Sequence, residues 1–92
     1  MPRPRLPRKI AYVPEVTFYK PQGVPLNILK IVELTHEELE AIRLKHVEGF
    51  DQIHAAKIMA TSQSTFQRIL NSAHKKMSYA LVSGHAIKIL YS

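Results

Sequence analysis

The chain contains no cysteine, so neither a disulfide framework nor a thiolate metal site is available to it. That fits a reducing, intracellular setting. It has three glycines, too few and too scattered for a loop that cradles phosphate. No apolar run reaches the length of a signal-peptide core or a membrane span, so the expectation is a soluble, cytoplasmic chain with no membrane partner. Ser62, Ser64 and Ser72 lack a placed His and Asp pair, and nothing resembles a nucleophile or a general acid–base pair. No enzyme, catalytic residue or cofactor is therefore expected. His36 and Glu40 stand one helical turn apart, with His46 and His54 nearby, but a third ligand at matching spacing is missing and no metal site is expected.

What is present is charge, and it is segregated along the chain. The net charge is +6. In residues 1–30, Arg3, Arg5, Arg8, Lys9, Lys20 and Lys30 oppose Glu15 alone. Residues 31–51 reverse the balance, with Glu33, Glu37, Glu38, Glu40, Glu48 and Asp51 against Arg43 and Lys45. From residue 52 onward Lys57, Arg68, Lys75, Lys76 and Lys88 meet no carboxylate. A polyanion would attract the outer blocks and repel the middle one, turning the first helix away from phosphate. At 92 residues the chain closes one small domain, whose arms and edge strands would be steadied by a partner or a second copy.

Punctuation divides that domain into four parts. Residues 1–9 alternate proline with base, and Pro2, Pro4 and Pro7 favour an extended arm from which Arg3, Arg5, Arg8 and Lys9 can enter a minor groove, ordering only on DNA. Residues 10–34 read as extended and turn-rich: Ile10–Val13 and Val16–Tyr19 are strand-like, Pro14 interrupts them, and Pro21, Gly23 and Pro25 make a connector. The helical core spans 35–81 and a C-terminal strand 82–92, where Gly84 stops a helix and Ile87, Ile89 and Tyr91 alternate with Lys88 and Leu90. That strand needs a partner. The N-terminal extended pieces can supply one, from the same chain or from a second copy in a homodimer built through the terminal strands.

The core opens on Thr35, which with Glu38 forms a capping box, while Leu34 can staple to Leu39. Leu39, Ile42 and Val47 mark the expected buried face of this helix, with Glu37, Glu40 and Arg43 outside, and Gly49 ends it. Asp51 caps a helix from Gln52 to about Met59. After a short turn Ser62 caps a longer one, its oxygen accepting from Ser64 or Thr65 N–H. Along that last helix Phe66, Ile69, Leu70, Ala73, Met77, Ala80 and Leu81 recur at helical steps as its expected core face.

Residues 52–69, QIHAAKIMATSQSTFQRI, match a helix-turn-helix pattern. Ala55 and Ala56 allow close helix approach, and Met59, Phe66 and Ile69 form the shared seam. Gln63, Ser64, Gln67 and Arg68 face outward with side chains that can hydrogen-bond base edges. The expected fold class is mainly α: a three-helix helix-turn-helix domain with an extended N-terminal arm and a small antiparallel β element.

Motifs over nearly the whole chain carry a resemblance: PRPR at 2–5, RKI at 8–10, PEVT at 14–17, KPQGVPL at 20–26, LTHEELEAIRL at 34–44, EG at 48–49, AA at 55–56, STFQRIL at 64–70 and SGHAIKI at 83–89. The chain resembles a family of small uncharacterised prokaryotic proteins with a predicted DNA-binding domain, whose helix-turn-helix is similar to that of sigma-factor region four. This resemblance implies that the second helix of the motif enters the major groove, with Gln63, Ser64, Thr65, Gln67 and Arg68 at bases and adjacent phosphates. Three departures limit the transfer. Ala60 replaces the left-handed glycine of the turn, at about 1 kcal/mol, and Thr61 replaces an apolar turn residue. Leu6, Pro7 and Ile10 occupy the stretch where some relatives carry cysteine, so no metal or redox site is transferred.

The expected function is a sequence-specific reader of double-stranded DNA, a transcriptional regulator. Gln67 and Arg68 test base edges, while the arm, Asn71, Lys75 and Lys76 occupy the flanking surface and its phosphates. The alternative is a protein-docking module of the transcription machinery, which would expose leucine or aromatic anchors on its long helix. Single-stranded RNA, stacked on Tyr12, Phe18 and Tyr19, is a lesser option because alternation makes these residues at least half core.

Overall fold

The computed structural model describes Pro14 and residues 16–90. Strand β1 (Phe18–Tyr19) is followed by a single 3₁₀ turn, Leu26–Ile28, and strand β2 (Ile31–Thr35). Helix α1 (His36–Ile42) continues into a π-helical turn, Arg43–Val47. Helices α2 (Gln52–Ile58) and α3 (Gln63–Ser83) precede strand β3 (Ala86–Leu90). Among the described residues the molecule is thus mainly helical, with a three-stranded sheet.

That sheet is mixed in direction, where an antiparallel element was expected. β3 lies at its centre, antiparallel to β1 with Phe18 opposite Lys88, and parallel to β2 with Ile31 opposite Ala86 and Thr35 opposite Leu90. Two parallel strands cannot be joined by a hairpin and need a long crossover. Here α1, α2 and α3 together are that crossover. The pairing of Val16–Tyr19 with the C-terminal strand is met within one chain, and β3 carries a neighbour on each edge. A second copy joining through the sheet would have to add at β1 or at the outer edge of β2. Ile10–Val13 and Tyr91 lie outside the described residues.

Each helix starts and stops at its expected punctuation. Thr35 and Glu38 form the capping box, with Thr35 N–H donating to Glu38 Oε1 at 2.8 Å and Glu38 N–H to Thr35 Oγ1 at 3.2 Å. Asp51 accepts from His54 N–H at 2.8 Å, and Ser62 from Thr65 N–H at 3.1 Å. The C-terminus of α2 closes as a Schellman motif: Thr61 N–H donates to the Ala56 carbonyl and Ala60 N–H to that of Lys57, each at 3.0 Å. The pivot of this turn is Ala60, at φ +56° among the described non-glycine residues. Gly84, at φ +71°, closes α3 two residues beyond the expected limit of the helical core.

Two apolar clusters hold these elements. Ala41, Leu44, Ala55, Ala56, Met59, Phe66, Ile69 and Leu70 interlock where the three helices meet, which includes every residue of the expected seam. Leu34, Ala73 and Ile89 join α3 to the sheet, with Leu39, Ile42, Met77 and Ile87 packed against them. The predicted face of α1 is met at Leu39 and Ile42, which pack half-buried against the clusters, and fails at Val47. Ala41 and Leu44 are its buried apolar residues, whereas Val47 is 74 % exposed on the widened turn. Glu40, expected outside, is fully buried against Arg43. Leu81, expected in the core, is 73 % exposed, lining an open apolar pocket with Leu39, Ile42, Met77 and Ile87.

Candidate nucleic-acid interface

α3 is the longest element, and its N-terminal two-thirds carry most of the predicted contact residues. Phe66, Ile69, Leu70 and Ala73 bury one face of it. The opposite face is therefore turned to solvent by the same periodicity. Gln63, Ser64, Arg68, Asn71 and Lys75 are exposed there, while Thr65, Gln67 and Lys76 are half-buried at the margins. From Ser64 through Arg68 and Asn71 to Lys75 the steps are four, three and four residues, a row about 16 Å long on one side of the helix.

The members of this row differ in how strongly they are tied down. Gln67 Nε2 donates to Asn71 Oδ1 at 2.8 Å, which fixes both amides and presents the remaining donor and acceptor groups outward. Thr65 is held by the cap, its Oγ1 accepting from Ser62 Oγ at 2.9 Å. Among the described residues no carboxylate pairs with Arg68 or Lys75. Both charges are available to an external anion. Lys76 is different: its ammonium donates to Glu38 Oε1 at 2.9 Å, across to the start of α1. Arg3, Arg5, Arg8 and Lys9 of the predicted arm lie outside the described residues.

The acidic middle block is partly neutralised from within. Burial alone would push the Glu38 carboxyl up, but bonds from Ser72 Oγ–H, Thr35 N–H and Lys76, with the Lys76 charge, outweigh it and hold the pKa below the usual carboxylate range. Glu40 accepts two bonds from the Arg43 guanidinium, at 2.8 and 3.0 Å, and Glu48 a third at 3.1 Å. Hydrogen bonding to Glu40, outweighing desolvation, raises the Arg43 pKa above its ordinary value. The capping box was legible from sequence. The use of Glu38 to bind Ser72 and Lys76 of α3 was not, since residues 34 and 38 positions apart meet only through the tertiary fold.

The pairing of His36 with Glu40 in a metal site is not available, because Glu40 is buried on Arg43. His54 packs instead on Phe50, ring centroids 4.6 Å apart. Among the described residues no group of three or more His, Cys, Asp or Glu side chains gathers at one point. No described helix is long and apolar enough to cross a membrane. Phe18 and Tyr19, weighed for base stacking, are exposed by 36 % and 54 % on β1, more open than their alternation suggested.

A family model described as "Protein of unknown function DUF134" matches residues 1–91. The chain belongs to this family. It is 52 % identical to a "UPF0251 protein" of Moorella thermoacetica, over 97 % of this chain and 60 % of the relative. Identity to UPF0251 protein Teth39_0655 of Thermoanaerobacter pseudethanolicus is 52 %, over 97 % of this chain and 75 % of that protein. With UPF0251 protein DET0218 of Dehalococcoides mccartyi it is 47 %, over 97 % and 76 %. The chain thus spans only about three-fifths of the Moorella relative. No solved structure matches.

Proposed function

We propose that this domain binds double-stranded DNA sequence-specifically and acts as a transcriptional regulator, with α3 entering the major groove as the second helix of a helix-turn-helix similar to that of sigma-factor region four. The observation that supports this most is the row Ser64, Arg68, Asn71 and Lys75: exposed, polar, and with its two cations unpaired by any described carboxylate. An exposed guanidinium between amide and hydroxyl side chains suits bidentate reading of a guanine edge. The segment from residue 52 to the end holds no Asp or Glu, so nothing on the helix itself repels phosphate.

In this reading Gln63, Ser64, Gln67, Arg68 and Asn71 face base edges and adjacent phosphates. Lys75 holds the backbone. Lys76 contributes less direct attraction than sequence alone suggests, because Glu38 already neutralises it. Selection of bound fragments from random duplex DNA tests the proposal. A recurring motif is expected, and two-fold symmetry within it would show two copies bound together. Affinity should fall steeply with salt, with a logarithmic slope of about −4 to −5 for four to six neutralised phosphates. Recovery of unrelated fragments with no shared motif would overturn the sequence-specific reading.

One observation favours a second reading, docking on a protein partner. Leu81 and Val82, 73 % and 88 % exposed, place large apolar side chains on the C-terminal turns of α3, which the docking model requires. Salt-independent capture of transcription machinery, lost in Leu81→Asp and retained in Arg68→Ala, would support that reading over DNA.

A further inference from the structure

The π-helical turn after α1 brings two imidazoles together from positions far apart in sequence. His46, on that turn, and His74, on α3, place their Nε2 atoms 2.9 Å apart, with ring centroids at 5.0 Å and planes tilted by 42°. Their backbones are well anchored. Leu44, two residues before His46, and Ala73, next to His74, are both buried. The widened turn is itself fixed by Glu48 N–H donating to the Arg43 carbonyl at 2.8 Å and Phe50 N–H to that of Leu44 at 3.0 Å. Among the described residues no carboxylate completes a three-ligand group with the pair.

We propose that His46 and His74 form a two-imidazole site for a divalent transition-metal ion of tetragonal preference, Ni²⁺ or Cu²⁺, with water in the remaining positions. Two nitrogens bound at about 2.0–2.1 Å on adjacent corners of a square lie about 2.8–3.0 Å apart, whereas adjacent corners of a tetrahedron put them about 3.3–3.4 Å apart. The observed 2.9 Å separation equals the edge of the square and is also the length of an ordinary hydrogen bond between the rings. The two Nε2 atoms face each other across the 5.0 Å between centroids, and each ring turns by about 45° for both lone pairs to meet at a common ion. His46 is exposed and His74 half-buried, which leaves room for water on the open side. A hydrogen bond between the rings contributes little by itself, because each nitrogen has water as an equal partner. Bound metal would clamp the end of α1 to the middle of α3. The site does not depend on DNA binding.

Calorimetric titration of the full, tag-free chain with NiCl₂ tests the assignment. One ion per chain is expected, with heat-unfolding temperature rising as the site fills. His46→Gln and His74→Gln should each weaken binding by at least about tenfold, since losing even a group that merely orients a ligand costs that much. The double variant His36→Gln/His54→Gln should bind as the parent does. Circular dichroism without metal confirms that the variants fold. Binding that fails to saturate at one ion per chain, or equal affinity in either single variant, overturns the site.

Discussion

The two ends of α3 are built on opposite terms. Its first half is enclosed on one side by α1 and α2, with Phe66, Ile69 and Leu70 inside a cluster of eight buried residues, and shows solvent a polar, cationic row. Its second half meets a thinner cluster of three, Leu34, Ala73 and Ile89, and leaves Leu81 and Val82 uncovered. An enclosed half and an exposed apolar half would suit the proposed reading edge at one end and contact with another surface at the other.

The contrast breaks most visibly on truncation. Phe66→Ala should cost about 3–5 kcal/mol, because the ring is fully buried between three helices that cannot all collapse into the void. Leu81→Ala, fifteen residues later on the same helix, should stay within about 0.5 kcal/mol. Denaturant unfolding of both variants measures the difference. Equal losses would mean that Leu81 is covered in solution.

Next in size is the strut that links the two regions. Glu38→Gln removes the carboxylate that accepts from Ser72 and Lys76 and should cost about 1.5–3 kcal/mol at neutral pH, the range for hydrogen bonds to a charged group. The sign of its pH dependence follows from the lowered folded pKa. The unfolded state takes up the proton first as pH falls, so the contribution is fully present above the unfolded value of about 4.3 and is lost as pH drops through the lower folded value. Stability curves of the parent and Glu38→Gln should therefore converge as pH falls below the unfolded value and through the lowered folded one. Curves that stay parallel would show that the strut carries no charge-dependent energy.

On the polar row, Arg68→Ala should weaken binding to a selected DNA site by about 1–3 kcal/mol and blur one base preference, with stability unchanged. Lys75→Ala should weaken all sequences alike. Fluorescence anisotropy on matched and mismatched duplexes separates the two. An Arg68→Ala variant with full affinity and unchanged preference would remove Arg68 from the reading edge.

Local signals accounted for the enclosed half and for the antiparallel pairing of β1 with β3, and missed β2. Caps at Thr35, Asp51 and Ser62, the stop at Gly84 and the seam from Ala55 to Ile69 all depend on residues a few positions apart, and each formed as expected. β2 was hidden because Ile31–Thr35 follows Pro21, Gly23 and Pro25 and buries only Leu34, so it carries no clean alternation. Its partner lies across the whole helical section, and parallel pairing at that range leaves no local trace. The burial of Glu40 on α1 has a different, local origin. Glu40 is fully buried and bonded to Arg43, three residues on, a pairing that places an apparent surface charge inside. At the candidate interface the identity and exposure of Arg68 and Lys75 were readable, but the diversion of Lys76 to Glu38 was not.

The smallest expected effect concerns the hinge between α2 and α3. Ala60 holds φ +56° with both Schellman bonds made, so the turn adopts the geometry a glycine would give it and bears the strain in its methyl group. The left-handed conformation costs an alanine about 1–2 kcal/mol, and a glycine would return part of that through the greater entropy of its unfolded chain. Ala60→Gly should therefore stabilise by about 0.5–1 kcal/mol, read as a higher denaturation midpoint at unchanged slope. Because Ala60 is exposed, no packing is lost in the exchange. Destabilisation by Ala60→Gly would mean that in solution the residue is not left-handed, and that α3 leaves α2 at another angle.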